Sequence, residues 1–341
     1  MNESLERPPM LLQSGAPALD PDAQPDAAAS RLVAGETLLL RHSYAQGVKI
    51  MASLRRRCTP SERSFEARVR SERTVEAHAQ RLLVRVIGHR VQLKGAQDSG
   101  FIRELYPSTP DFFISLSWLQ ALHGAWERYR QGVSFPVLGH RLHPYYGVYA
   151  PTRMTHLELF ATWLSTHEPL DGLAMDVGTG CGVVALMLRR RGFKQVIATD
   201  INPNAIESVQ REKDRLKIED GLQLRRGDLL CGAGSGADLI VFNPPWTQGD
   251  PRSAIDRALV YEDGLFRRFF DQCGEALSAA GRVVVIFSNI IRLVQPGVEH
   301  PIEAELARGR FLLDQRLHRR VRAEEGRRTQ ERVEVWVLRR L

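Results

Sequence analysis

Four short stretches of this chain hold residue types that can do chemistry at a suitable spacing. The first is Asp176-Val177-Gly178-Thr179-Gly180-Cys181-Gly182, an acid followed by alternating glycines. Glycines permit a tight turn and let a ligand approach the backbone closely. Asp200 and Asp228 each follow a short apolar run, and Asn243-Pro244-Pro245-Trp246 follows another. Two successive prolines stiffen the backbone and remove N–H donors. What remains on offer there is acceptors: the Asn243 side-chain oxygen and the Pro244 carbonyl. A planar amino group has two N–H donors to satisfy. Two fixed acceptors can hold those hydrogens and aim the nitrogen lone pair, while Trp246 supplies a flat face for a base or an amide to stack on.

These residues need elements that carry them to one place. Short apolar runs predict strands at Leu173 to Val177, Gln195 to Thr199, Leu222 to Arg225, Asp238 to Phe242 and Arg282 to Phe287. Helical spacing predicts helices at Met154 to His167, Cys181 to Arg191, Pro203 to Leu216 and Leu265 to Ser278, with Asn202 as a cap and Pro203 in the first turn. Strands alternating with helices imply a mainly parallel sheet covered on both faces. Ligands bind such sheets beyond the carboxyl ends of the strands. Asp176 with its glycines, Asp200, Asp228 and Asn243 all fall there. Two late strands, Phe311 to Val321 and Arg332 to Arg339, predict an antiparallel hairpin turning around Glu325 to Arg327.

Upstream the pattern is less regular. Residues 1 to about 30, rich in Ala, Pro, Asp and Gln, read as a disordered tail. Residues 31–140 read as an accessory α+β domain and a candidate for substrate recognition. It has an expected helix at Gly35 to Arg56, a strand-like alternation at Leu82 to Leu93 and a helix at Phe112 to Arg128. Residues 141–341 form the regular α/β domain. Apolar runs such as Val283 to Phe287 are strand-length, far short of the ~20 residues of a membrane span. The start of the chain has no basic, apolar leader, so a cytoplasmic location and no membrane partner are expected. Cys58, Cys181, Cys231 and Cys273 form no C-x-x-C pair, and His140, His143 and His156 lack the spacing of a ligand set; no metal is expected. The formal charge of +7, almost all from arginine, suits an approach to nucleic acid. From Arg308 to Arg340 there are eleven arginines against five acids, and Arg55 to Arg57 form another cluster. They are a candidate path for RNA, or a solvated face.

A glycine-rich turn followed by an acid also fits a nicotinamide-dinucleotide fold. Three details favour another reading: Asp176 precedes the first glycine, Asp228 follows the third strand, and Asn-Pro-Pro-Trp follows the fourth. Together they resemble the class I S-adenosylmethionine-dependent methyltransferases, over roughly residues 145 to 341. The resemblance implies a Rossmann-like fold and S-adenosyl-L-methionine as cofactor. It implies a binding set of Asp176, Gly178, Thr179, Gly180, Gly182, Asp200, Ile201, Asp228, Leu229 and Asn243. Gly178 and Gly180 would lie against the methionine part, Asp176 would organise the loop, Asp200 would accept from the ribose hydroxyls, and Asp228 would lie near the adenine. Asn243, Pro244, Pro245 and Trp246 resemble the [N/D]-P-P-[F/Y/W] signature of amino-group methyltransferases, and would form the catalytic corner. Tyr261-Glu262-Asp263-Gly264-Leu265 and Gly147-Val148-Tyr149-Ala150-Pro151-Thr152-Arg153 are similar to stretches of the glutamine methyltransferase (HemK-like) group. Tyr149, Arg153 and Trp246 are therefore candidate substrate contacts. The implied function is N-methylation of a planar amino or amide nitrogen in a macromolecule, either a ribosomal RNA base or a glutamine of a translation protein. A natural-product methyltransferase, a scaffold without catalysis and a dinucleotide oxidoreductase are the alternatives.

Overall fold

The computed structural model describes residues 5–60, 65–166, 172–251, 254–321 and 330–341. The chain separates into two compact units, Met1–Glu127 and Arg128–Leu341.

The first unit has a four-stranded sheet. Leu38–Leu40 runs parallel to Leu82–Ile87, which pairs antiparallel with Arg90–Val91 and with Phe112–Ser115. The expected tail is built into this unit. Leu11 and Phe113 exchange backbone hydrogen bonds, Leu39 donates to the Pro17 carbonyl and accepts from Leu19, and the Tyr106 hydroxyl donates to the Pro8 carbonyl. Pro25–Val33 is a helix with Ala28, Ala29 and Leu32 buried. A segment poor in apolar residues is ordered here because its backbone finds partners on existing strands. Two expected helices also begin as strands. Leu38–Leu40 is extended, and the helix starts at Tyr44, where the Ser43 side chain accepts from the Gln46 amide at 3.2 Å. Phe112–Ser115 is extended, and the helix runs from Leu116 to Gln131. Aromatic and β-branched residues suit a strand that pairs along its whole length.

Residues 128–140, expected in the accessory domain, belong to the second unit. Val133–Phe135 and His140–Leu142 pair antiparallel, Phe135 is fully buried, and the Arg190 guanidinium donates to the Leu138 carbonyl at 2.6 Å. The rest of the unit is a seven-stranded sheet. Its strands are β1 (Leu173–Val177), β2 (Gln195–Asp200), β3 (Leu222–Arg226), β4 (Ala237–Phe242), β5 (Leu277–Ser288), β6 (Phe311–Arg320) and β7 (Arg332–Arg340). Their spatial order is β6-β7-β5-β4-β1-β2-β3. β1 to β5 are mutually parallel and β7 is antiparallel to both its neighbours. The expected α/β sheet with a late antiparallel pair is therefore present. The turn expected around Glu325 to Arg327, and His167 at the end of an expected helix, lie outside the described residues. Val283 to Phe287 are fully buried at the centre of the sheet. The order reverses between β1 and β4, which leaves a crevice beyond their carboxyl ends. No described helix is long and apolar enough to cross a membrane.

One face of the helix Pro203–Leu216 carries a polar stripe at four-residue spacing. Asn204, Ser208 and Glu212 are all buried, and each binds the backbone of the segment leading into the sheet. Asn204 donates to the Tyr146 carbonyl at 2.8 Å, Ser208 accepts from the Tyr145 amide at 3.1 Å, and Glu212 accepts from the His143 amide at 2.6 Å. Asn202 adds a bond to the Gly147 carbonyl at 2.9 Å. These bonds hold the segment 143–147 beside the strand ends.

Candidate active site

A cavity of about 370 Å³ opens at the carboxyl ends of β1, β2 and β4. Its first wall is the turn after β1. Gly178 and Gly180 have φ of +66° and +53°, a region that glycine enters without strain. Asp176, buried at the strand end, ties the turn together. The Thr179 hydroxyl donates to its Oδ2 at 2.6 Å and the Ala185 amide donates to the same oxygen at 2.9 Å. Burial pushes the Asp176 carboxyl up to about 7, against those two hydrogen bonds that favour the charge. Asp176 thus ties the turn to the start of the next helix.

Asp200 ends β2. Its Oδ2 accepts from the Gly180 amide at 2.9 Å and its Oδ1 from the Asn202 amide at 2.8 Å. Burial raises its carboxyl to about 6, so it is mainly ionised at neutral pH. Each oxygen keeps acceptor capacity beyond one backbone bond. Ile201, 45% exposed, presents an apolar face on the same wall. Leu229 lines the cavity with φ +51°, its carbonyl held by the Thr199 hydroxyl at 2.6 Å. Asp228 also lines the cavity, and its carboxylate lies 3.5 Å from the Arg268 guanidinium.

The corner after β4 completes the site. Asn243, Pro244, Pro245 and Trp246 all line the same cavity as Gly178 and Asp200. The Asn243 Oδ1 is buried and has no hydrogen-bond partner among the described residues. Buried polar atoms are nearly always paired, so this acceptor is available to a donor from water or from a ligand. The Trp246 ring is fixed by its Nε1, which donates to the Ile286 carbonyl at 3.3 Å, and by edge-to-face packing on His156.

Two expected site residues lie outside this lining. Gly182 has φ +84°, and a Cβ there would stand 2.9 Å from the Val209 side chain, so its glycine serves helix packing. Arg153 is turned away into an ion pair with Glu331 at 3.1 Å. Tyr149 does line the cavity, 41% exposed. Arg322, Arg327 and Arg328 lie outside the described residues. Of the other late arginines, Arg310 binds Glu305 and Asp271, Arg316 binds Glu334 and covers the Trp336 ring at 3.9 Å, and Arg319 lies 3.3 Å from Glu158. These residues read as a solvated, paired face. No described group of three or more His, Cys, Asp or Glu residues could hold a metal ion.

The structure adds residues that motif reading did not assign to the site. Phe242 and His156 line it, as do Val260 and Tyr261 of the flap in which they pair with Thr247–Gln248. The Glu262 carboxylate binds Arg268 at 2.7 Å, and Gly264, with φ +80°, starts the helix Leu265–Ala276. The Tyr261 to Leu265 resemblance was the available signal for this flap. For Phe242 the signal was its place before Asn243.

Residues 142–296 match the family model of the methyltransferase small domain. Among similar curated proteins is a ribosomal protein L11 methyltransferase of Heliobacterium modesticaldum, 36% identical over 24% of this chain and 25% of its own. Another is a ribosomal protein uL3 glutamine methyltransferase of Xanthomonas campestris, 34% identical over 33% of this chain and 36% of its own. The chain thus spans about a quarter to a third of the length of these relatives. A solved ribosomal protein L11 methylase from Lactobacillus delbrueckii subsp. bulgaricus is 20% identical, with a TM-score of 0.41, over 57% of this chain and 81% of that one. The second unit has a Rossmann-like α/β fold with a mostly parallel sheet.

Proposed function

We propose that the chain is an S-adenosyl-L-methionine-dependent N-methyltransferase acting on a planar amino or amide nitrogen of a macromolecule. The observation that carries this reading is the buried, unpartnered Asn243 Oδ1 in the cavity that also holds Gly178 and Asp200. The residues present fit the cofactor. The positive-φ glycines leave room beside the loop, the Asp200 carboxylate suits a ribose diol and repels a ribose phosphate, and Ile201 and Leu229 offer apolar contacts to a purine. Bound there, the cofactor supplies an activated methyl group. The protein's own task is then mostly positioning. Asn243 and the Pro244 carbonyl hold the two N–H groups of the acceptor nitrogen, and these bonds strengthen as the nitrogen becomes positive. Trp246 provides the stacking face.

A translation-protein acceptor is supported by the names of the relatives, which are directed at ribosomal proteins. An RNA acceptor is supported by the net charge of +7. The ion pairing of the late arginines weakens that support. The test is incubation of the protein with methyl-labelled cofactor and cell lysate, followed by separation of RNA, protein and small molecules. Label in RNA or protein is expected. Label confined to small molecules, or no cofactor binding by calorimetry, overturns the reading.

A further inference from the structure

The cavity contains a second orphaned polar atom. His156, in the first turn of the helix Thr155–Ser165, is only 4% exposed, and its Nδ1 is buried with no hydrogen-bond partner among the described residues. Its ring centroid lies 5.3 Å from that of Trp246 at an interplanar angle of 89°. It lines the cavity that Asn243 also lines. Ring nitrogens of His123, His140 and His300 are also buried without a partner among the described residues, but of these four histidines only His156 lines the cavity. Two residues with unpartnered groups, an amide oxygen and an imidazole nitrogen, thus line one cavity with a pinned indole.

We propose that His156 is a further catalytic residue of the acceptor subsite: it accepts a hydrogen bond from the target N–H and takes the proton that the nitrogen loses on methylation. This rests on the methyltransferase reading above.

Such a residue gives the departing proton a direct destination. A planar NH2 group that gains a methyl becomes positively charged and must shed one hydrogen. In balanced form, the acceptor nitrogen forms an N–C bond and its N–H bond breaks. The methyl leaves sulfur, where the sulfonium charge is discharged to a neutral thioether. The positive charge departs as the His156 imidazolium, which passes its proton to solvent as product leaves. Asn243 and Pro244 cannot do this, because amide oxygens are far too weakly basic. Burial lowers the His156 ring to about 4, so it is neutral with a free lone pair under working conditions. A newly methylated amide or arylamine is a strong enough acid to protonate it.

The test does not need the natural acceptor. With nitrogen-15-labelled protein and S-adenosylhomocysteine present, the His156 ring resonances are followed as propionamide or adenine is added. Their N,N-dimethyl derivatives, which lack the amino hydrogens, serve as controls. A shift of an unprotonated ring nitrogen with the NH2 compounds but not with the controls is expected. No shift, or equal shifts with both, overturns the proposal. Second, His156→Phe keeps a ring against Trp246 and removes the lone pair. It should hold cofactor affinity and melting temperature near the wild type and slow labelled methyl transfer at least about tenfold, the lower reach of acid–base catalysis being larger still. Full transfer by a folded, cofactor-binding His156→Phe overturns the proposal. Loss of cofactor binding by the wild type itself would instead defeat the underlying reading, so the two failures are distinguishable.

Discussion

Gln295 closes both ends of its side-chain amide on the backbone of Gln248. The Gln248 amide donates to Oε1 at 2.9 Å, and Nε2 donates to the Gln248 carbonyl at 2.8 Å. The pair imitates a strand contact and fixes the backbone two residues beyond Trp246. Gln295 itself follows the short helix Ile290–Val294 after β5, with its own amide bound to the Ile291 carbonyl at 2.8 Å. The proposed catalytic corner is thereby tied to the segment after β5 through a side chain that does not line the cavity. Gln295→Ala should raise the acceptor KM and lower turnover by about tenfold, the worth of one or two hydrogen bonds, with cofactor affinity unchanged. Gln295→Glu, which keeps only the acceptor, should fall between. Steady-state kinetics with calorimetry on both variants decide; wild-type kinetics in Gln295→Ala would remove the residue from the positioning of the corner.

Asp200 accepts from the backbone amides of Gly180 and Asn202, and its remaining acceptor capacity is proposed to hold the cofactor's diol. Asp200→Ala should weaken S-adenosylmethionine binding by roughly ten- to a hundredfold, the range for hydrogen bonds to a charged group. Asp200→Asn should lose less, because an amide oxygen can still accept. Titration calorimetry on the two variants gives the order directly, and equal affinities throughout would place the ribose elsewhere.

Asn243→Ala removes the unpartnered acceptor without disturbing any hydrogen bond made within the protein by that oxygen. Cofactor binding should survive, while methyl transfer should drop by about a hundredfold, as when one preorganised polar partner of a transition state is lost. Transfer of labelled methyl at the wild-type rate would end the catalytic assignment of the corner.

The site-bearing part of the second unit was readable because β1, β2 and β4 are short, largely buried and bounded by glycine, proline or an acid. Pro203–Leu216 was predicted to the residue, since Asn202 and Pro203 mark its start. The first unit was harder, because its local patterns are overridden by pairing. Phe112–Ser115 continues a helical apolar spacing yet extends to meet Leu83–Val86, and residues 8–19 gain order only from strands far away in sequence. Within the site, the motifs gave the residues whose type is constrained by a turn or an acceptor. Arg153 and Gly182 were misplaced for different reasons. Arg153 finds a buried partner in Glu331, far along the chain, and Gly182 is glycine for the sake of Val209. His156 carried no motif; its meaning comes from a missing hydrogen bond, which only coordinates reveal.

Gly182 offers a clean separation of packing from binding. Gly182→Ala must accommodate both a positive φ and a Cβ contact at 2.9 Å with Val209. A loss of about 1–3 kcal/mol in unfolding free energy is expected. Cofactor affinity in the folded fraction should stay near the wild type. Gly178→Ala also has positive φ, but its Cβ would meet Phe242 at an easier 3.4 Å while entering the cavity wall. Its smaller stability loss should be accompanied by weaker binding. Denaturant curves and calorimetry on the pair test this crossing of effects; parallel losses would contradict it.

Glu212 predicts a pH dependence of stability. Its Oε1 binds the His143 amide, its Oε2 is buried without a partner among the described residues, and burial raises its carboxyl from 4.5 to about 7, with His140 drawing it partly back. A carboxyl whose folded-state value lies above its unfolded one holds its proton more tightly when folded. Its stabilising contribution is complete below the unfolded value and is lost as pH rises through the folded one. Glu212→Gln can keep the bond to His143 and never ionises. Relative to that variant, the wild type should lose melting temperature as pH rises from about 4.5 to 7 and change little above. Asp176 and Asp200 titrate in the same sense, but they are present in both proteins and cancel in the difference. Paired thermal melts across that range measure it, and a difference that is flat or grows with pH would show that the Glu212 carboxylate is stabilised, not penalised, where it clasps the segment leading into the sheet.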